Sequence, residues 1–71
     1  MERLPVNSSS IKSIGYDATA RTLEVEMADG DVYQYFNVAP QVHRDLVNAA
    51  SIGQYFAYYI KTTYRWRKMS G

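Results

Sequence analysis

Seventy-one residues, 46% of them hydrophobic, suffice for one core and are too few for two, since so short a chain buries only about 60% of the surface it exposes when unfolded. The absence of cysteine excludes a disulfide framework, thiol chemistry and cysteine-bound zinc. Net charge is only +1, but it is unevenly placed: every acidic residue lies at or before Asp45, whereas Lys61, Arg65, Arg67 and Lys68 crowd one short stretch.

The opening residues MERLPVNSSS hold no apolar run of the kind a secretory leader needs, and no segment approaches the roughly 20 apolar residues that span a bilayer. The expectation is a soluble, cytoplasmic protein with no membrane partner. The Asn7-Ser8-Ser9 triplet is then chemically idle.

Ser8-Ser9-Ser10 opens a first strand that continues through Ile11, Ile14 and Tyr16. Ile11 and Ile14 have opposite parity, so both reach one face only if the strand carries an irregularity. Asp17 to Arg21 is a polar connection of hairpin length. Thr22 to Ala28, TLEVEMA, alternates with Leu23, Val25 and Met27 on one face and Thr22, Glu24 and Glu26 on the other, the pattern of a half-buried strand. Asp29-Gly30 signals a hairpin, and Val32 to Phe36, VYQYF, is the third strand.

Pro40 suits a first helical position because its missing N–H has no partner to lose there. Val42, Leu46 and Ala49 follow at helical spacing and predict a short amphipathic helix ending near Ala50. Ser51-Ile52-Gly53-Gln54 has the form of a capping box and starts a second helix, with Ile52, Tyr55, Phe56, Tyr59 and Ile60 on its core face. Thr62 and Thr63 weaken helix propensity, and Tyr64 to Gly71 reads as a continued or frayed helix end. Three strands followed by two helices predict an α+β fold, an antiparallel meander with both helices packed on one face.

Loop length decides which sheet face receives Tyr33 and Tyr35. A two-residue Asp29-Gly30 turn sets Leu23 opposite Phe36 and puts both tyrosines outside, opposite Glu24 and Glu26. A three-residue Ala28-Asp29-Gly30 loop closed by Gly30 in αL sets Val25 opposite Tyr33 and Leu23 opposite Tyr35, which makes them core. One residue of register thus moves both rings across the sheet. The loop chemistry favours the second arrangement, with the phenol hydroxyls at the rim; Val32 and Phe36 then need some cover on the other face.

The segments SSSIKSIGYD, TLEVEMADGDVYQYFNV and AASIGQYF, with Pro40 between the last two, together resemble the KTSC domain. This module occurs alone in bacterial and phage-type proteins and at the carboxy-terminal end of some lysyl-tRNA synthetases. The resemblance runs from Val6 to Tyr64. Its central mark is a Tyr-x-Tyr, here Tyr33-Gln34-Tyr35, and Ser9, Tyr16, Leu23, Gly30, Val38, Ala50, Ser51 and Gly53 also match. The resemblance implies one domain over 6–64, followed by a basic extension over 65–71 that lies outside the family pattern. It carries no established activity, and its association with a tRNA synthetase implies RNA binding as an expectation.

Candidates for chemistry are few. His43 is the only histidine and has no cysteine to activate; Ser8, Ser9 and Ser10 have no base nearby in sequence. Asp29 and Asp31 belong to a turn too short for a calcium loop, and Glu24 and Glu26 read as a solvated strand face. No enzyme, metal or cofactor is expected. The remaining signal is aromatic and basic interleaving in Tyr58, Lys61, Tyr64, Arg65, Trp66, Arg67 and Lys68, since bases stack on aromatic rings while cations neutralise phosphates. On a continued helix, Tyr58, Lys61, Arg65 and Lys68 would share one face. The functional expectation is a non-enzymatic binding module for RNA or single-stranded nucleic acid; the alternative is a protein–protein or self-association module.

Overall fold

The structure, a computed structural model, describes residues 1–70. One antiparallel sheet takes its strands in chain order: β1 (Leu4–Pro5), β2 (Ile11–Asp17), β3 (Thr22–Met27), β4 (Val32–Tyr35) and β5 (Trp66–Ser70). Helices α1 (Pro40–Val47) and α2 (Ile52–Tyr55) are inserted between β4 and β5, and α2 runs directly into a π-turn at Phe56–Ile60. The class is α+β as expected, but the sheet has five strands where the residue pattern predicts three.

Both added strands are edges, and that is why their patterns are silent. β1 has two residues, too few for any periodicity. β5 carries Trp66, Arg67, Lys68 and Met69 and is held chiefly by backbone pairing to β4, so it needs no apolar alternation. The expected helical continuation beyond Ile60 does not occur. The N–H groups of Thr63 and Tyr64 close back on the carbonyl of Ile60 at 3.1 and 3.4 Å, and the chain turns into the sheet.

Pairings Leu23 with Tyr35 and Val25 with Tyr33 identify the three-residue loop. The Met27 N–H donates to the Asp31 carbonyl at 2.8 Å, the Gly30 N–H to the Met27 carbonyl at 3.0 Å, and Gly30 has φ +98°. Tyr33 and Tyr35 therefore face the helices. Val32, on the other face, is nevertheless buried, because β5 makes β4 an interior strand. The irregularity expected in β2 lies between Ile11 and Ser13, and it brings Ile11 and Ile14 onto the same side.

Ile11, Ile14, Leu23, Val25 and Tyr35 of the sheet meet Val38, Leu46, Ile52, Phe56 and Ile60 in one apolar core. Pro40 begins α1 as predicted, though the helix closes at Val47, short of Ala50. Ser51 caps α2, its hydroxyl accepting from the Gln54 N–H at 3.3 Å. The π-turn changes the helical phase: the Lys61 N–H reaches back five residues to the Phe56 carbonyl at 2.9 Å. Ile52, Phe56 and Ile60 stay inward, whereas Tyr59, expected in the core, is exposed beside Tyr55 with ring centroids 4.8 Å apart.

Candidate nucleic-acid interface

The aromatic and basic residues singled out by the sequence do not share a helix face; β5 divides them. Strand alternation and the pairing of Tyr35 with Trp66 and Tyr33 with Lys68 put Trp66 and Lys68 on the helix side of the sheet. Arg67 pairs with Gln34 and faces the opposite side. Arg65 precedes the strand, its carbonyl accepting from the Phe36 N–H at 2.9 Å. Tyr64 is half-buried against the core, and Tyr58 stands exposed on the π-turn, beside the Asn7–Ser10 segment rather than beside Trp66.

What the fold does bring together is Trp66, Lys61 and the tyrosine pair. Trp66 meets Tyr33 edge to face, with centroids 5.7 Å apart and planes at 71°, and keeps 56% of its surface exposed. Tyr35 meets Phe56 in the same manner at 5.4 Å and 82°. These four rings, with Met27, Lys61, Thr62 and the Ala28-Asp29 turn, line an open cleft of about 560 Å³ between the sheet and the end of the π-turn. Its volume lies within the range of small-molecule sites.

Burial raises the Tyr35 phenol to a pKa of about 12, with Tyr33 adding to the shift. Tyr35 is 4% exposed, and what remains open of it lines the cleft. Lys68 pairs with Asp31 at 3.5 Å, while Lys61 has no carboxylate within ion-pair distance among the described residues.

The chain matches the KTSC domain over residues 7–64. Its fold superposes on the crystal structure of a KTSC domain protein from Yersinia pestis with a TM-score of 0.91, at 40% identity and 97% coverage of both chains. The chain belongs to the KTSC domain family. It is also 40% identical over 67 residues to a lysine–tRNA ligase of Nostoc punctiforme, covering 94% of this chain and 12% of the ligase. A protein of Stutzerimonas stutzeri is 43% identical over 56 residues, 79% of each chain. The KTSC chain thus spans about an eighth of the ligases it matches. The family match stops at Tyr64, yet the sheet of this KTSC domain continues through β5.

The other candidates have structural partners. His43 stacks on Tyr16 with centroids 4.8 Å apart and planes 8° from parallel, and burial, then Arg44, lowers its pKa. The Ser8 hydroxyl accepts from the N–H groups of Ser10 and Ile11 at 3.2 and 3.3 Å. Asp29 accepts from the Asp31 N–H at 3.0 Å and shapes the turn. Among the described residues no three His, Cys, Asp or Glu side chains are grouped to hold a metal, and no helix is long and apolar enough to cross a membrane.

Glu24 is not on a solvated face. It is 8% exposed, ion-paired with Arg3, and accepts from the Gln34 amide at 2.9 Å. Arg3 also donates to Ser13 at 3.2 Å, and Ser13 in turn to Glu26 at 2.8 Å. The period of β3 and the three-residue loop make the Glu24–Gln34 pairing legible in the sequence, but nothing there announces Arg3. Likewise the TLEVEM alternation points Met27 inward, but no local signal places Phe56 or Thr62 beside Trp66.

Proposed function

We propose that this KTSC domain is a small non-enzymatic module that binds single-stranded nucleic acid, RNA foremost, on the surface where β5 meets the tyrosine pair. The observation that carries the reading is the meeting on one open cleft of an exposed Trp66, Tyr33 and Lys61, which has no carboxylate partner among the described residues. Exposed rings stack bases of any sequence, and neighbouring cations neutralise phosphates. The match to part of a lysine–tRNA ligase supports the reading by association with a protein named for a tRNA.

A titration with labelled single-stranded RNA at increasing salt tests it. The logarithm of affinity is expected to fall linearly with the logarithm of salt, by about 0.7 for each phosphate neutralised. Replacing Lys61 and Lys68, on the Trp66 side, by Ala should lower that slope by more than replacing Arg65 and Arg67. No binding at low ionic strength, or a slope that none of the four residues alters, would refute the proposal.

A free edge on β5 favours a second reading, pairing with another protein strand. Association that depends on protein concentration, persists at high salt and is lost on disrupting β5 would support it over RNA.

A further inference from the structure

Resting on the nucleic-acid reading, we infer that the cleft between β4, β5 and the π-turn receives a single unstacked nucleobase, with Lys61 at its mouth holding the adjoining phosphate. The chemistry of the lining selects this occupant. Tyr33, Tyr35, Phe56, Met27 and Trp66 present mostly apolar and aromatic surface, which suits a flat ring. An alkyl chain would satisfy that surface but would offer no hydrogen-bonding partner to the phenols of Tyr33 and Tyr35 that line it. A base brings both a π face and polar edge atoms, so it fills the cleft and pairs with the phenols.

Charge points the same way. Lys61 has no carboxylate within ion-pair distance among the described residues, and it stands at the cleft with Thr62. An ammonium on this lining is matched by a ligand that is aromatic at one end and anionic at the other, as a nucleotide within a single strand is. A paired base in a duplex has neither face nor edge free to enter, so the cleft selects unpaired segments.

Trp66 is the only tryptophan, and its fluorescence therefore reports on the cleft directly. The test compares hexauridylate and hexaadenylate with a six-residue abasic ribose-phosphate chain at low ionic strength. The base-bearing chains are expected to quench Trp66 and to bind about 5- to 150-fold tighter than the abasic chain. Thr62→Phe, introduced at an exposed position of the lining, should fill the cleft and erase the advantage of base-bearing over abasic chains. Ala28→Phe repeats the blockade from the opposite wall, in case one variant fails to fold. Equal binding of base-bearing and abasic chains overturns the cleft assignment and leaves the broader nucleic-acid reading standing. No binding of either overturns both. Quenching by hexaglutamate but not by base-bearing RNA overturns both in favour of a protein segment.

Discussion

Gly15 and Gly30 are constrained for different reasons, and substitution should separate them. A Cβ on Gly15 would lie 2.5 Å from the Glu2 carbonyl oxygen, so the amino-terminal strand would have to move. Gly15→Ala is expected to destabilise by about 1–3 kcal/mol, as overpacking does, with increased hydrogen exchange confined to β1 and its partner amides. A Cβ on Gly30 would meet nothing within 4 Å, but φ is +98°. Gly30→Ala should cost about 1–2 kcal/mol from backbone conformation alone, seen as a shift of the urea midpoint.

Glu24, buried, and His43, half-buried, illustrate two kinds of constrained polar group at the residue scale. Arg3→Ala leaves the Glu24 carboxylate with only the Gln34 amide and should cost about 1–3 kcal/mol, recovered in part by adding Glu24→Gln. The check is a double-mutant cycle in urea. For His43 the folded state disfavours the protonated ring, so the unfolded chain binds the proton more readily. Its contribution to stability is complete above the ordinary value of 6.5 and is lost as pH falls through the lowered folded pKa. As the single histidine, its ring resonances should titrate below 6.5, and His43→Gln should remove this component of the pH dependence.

At the scale of elements, the hairpin between β3 and β4 and the late strand β5 decide the cleft. Deleting Ala28 would leave a two-residue turn and shift register, carrying Tyr33 and Tyr35 to the opposite face. The expected outcome is loss of the cooperative unfolding transition, because the Tyr35–Phe56 contact goes with it. Removing residues 65–71 would expose β4 as an edge and strip Trp66 from Tyr33. The shortened chain should unfold at clearly lower urea, even though the residues that match the family are all retained.

At the scale of the whole molecule, the Cα radius of gyration of 10.7 Å is near the roughly 11 Å expected for 71 compact residues, so β5 belongs to the body. This compactness has an electrostatic consequence. The acidic residues of β3 are drawn into a network with Arg3, Ser13 and Gln34, while Lys61 and Trp66 remain open.

The sequence by itself determined the α+β class, the alternation of β3, the Pro40 start of α1 and the Ser51 cap, and it favoured the three-residue loop over the two-residue one. Each rests on residues within one or two turns of chain, where sterics and local hydrogen bonds act. For Tyr33 and Tyr35 the residues Ala28, Asp29 and Gly30 favoured the inward register, and the pairing of β3 with β4 decided it. Only the tertiary structure decided that Trp66–Ser70 is a strand, since an edge strand is held by the backbone of its neighbour and leaves little mark on its own side chains. That long-range pairing also decided the candidate site. It separated Trp66 and Lys68 from Arg67, and it set Trp66 beside a tyrosine thirty-three positions earlier.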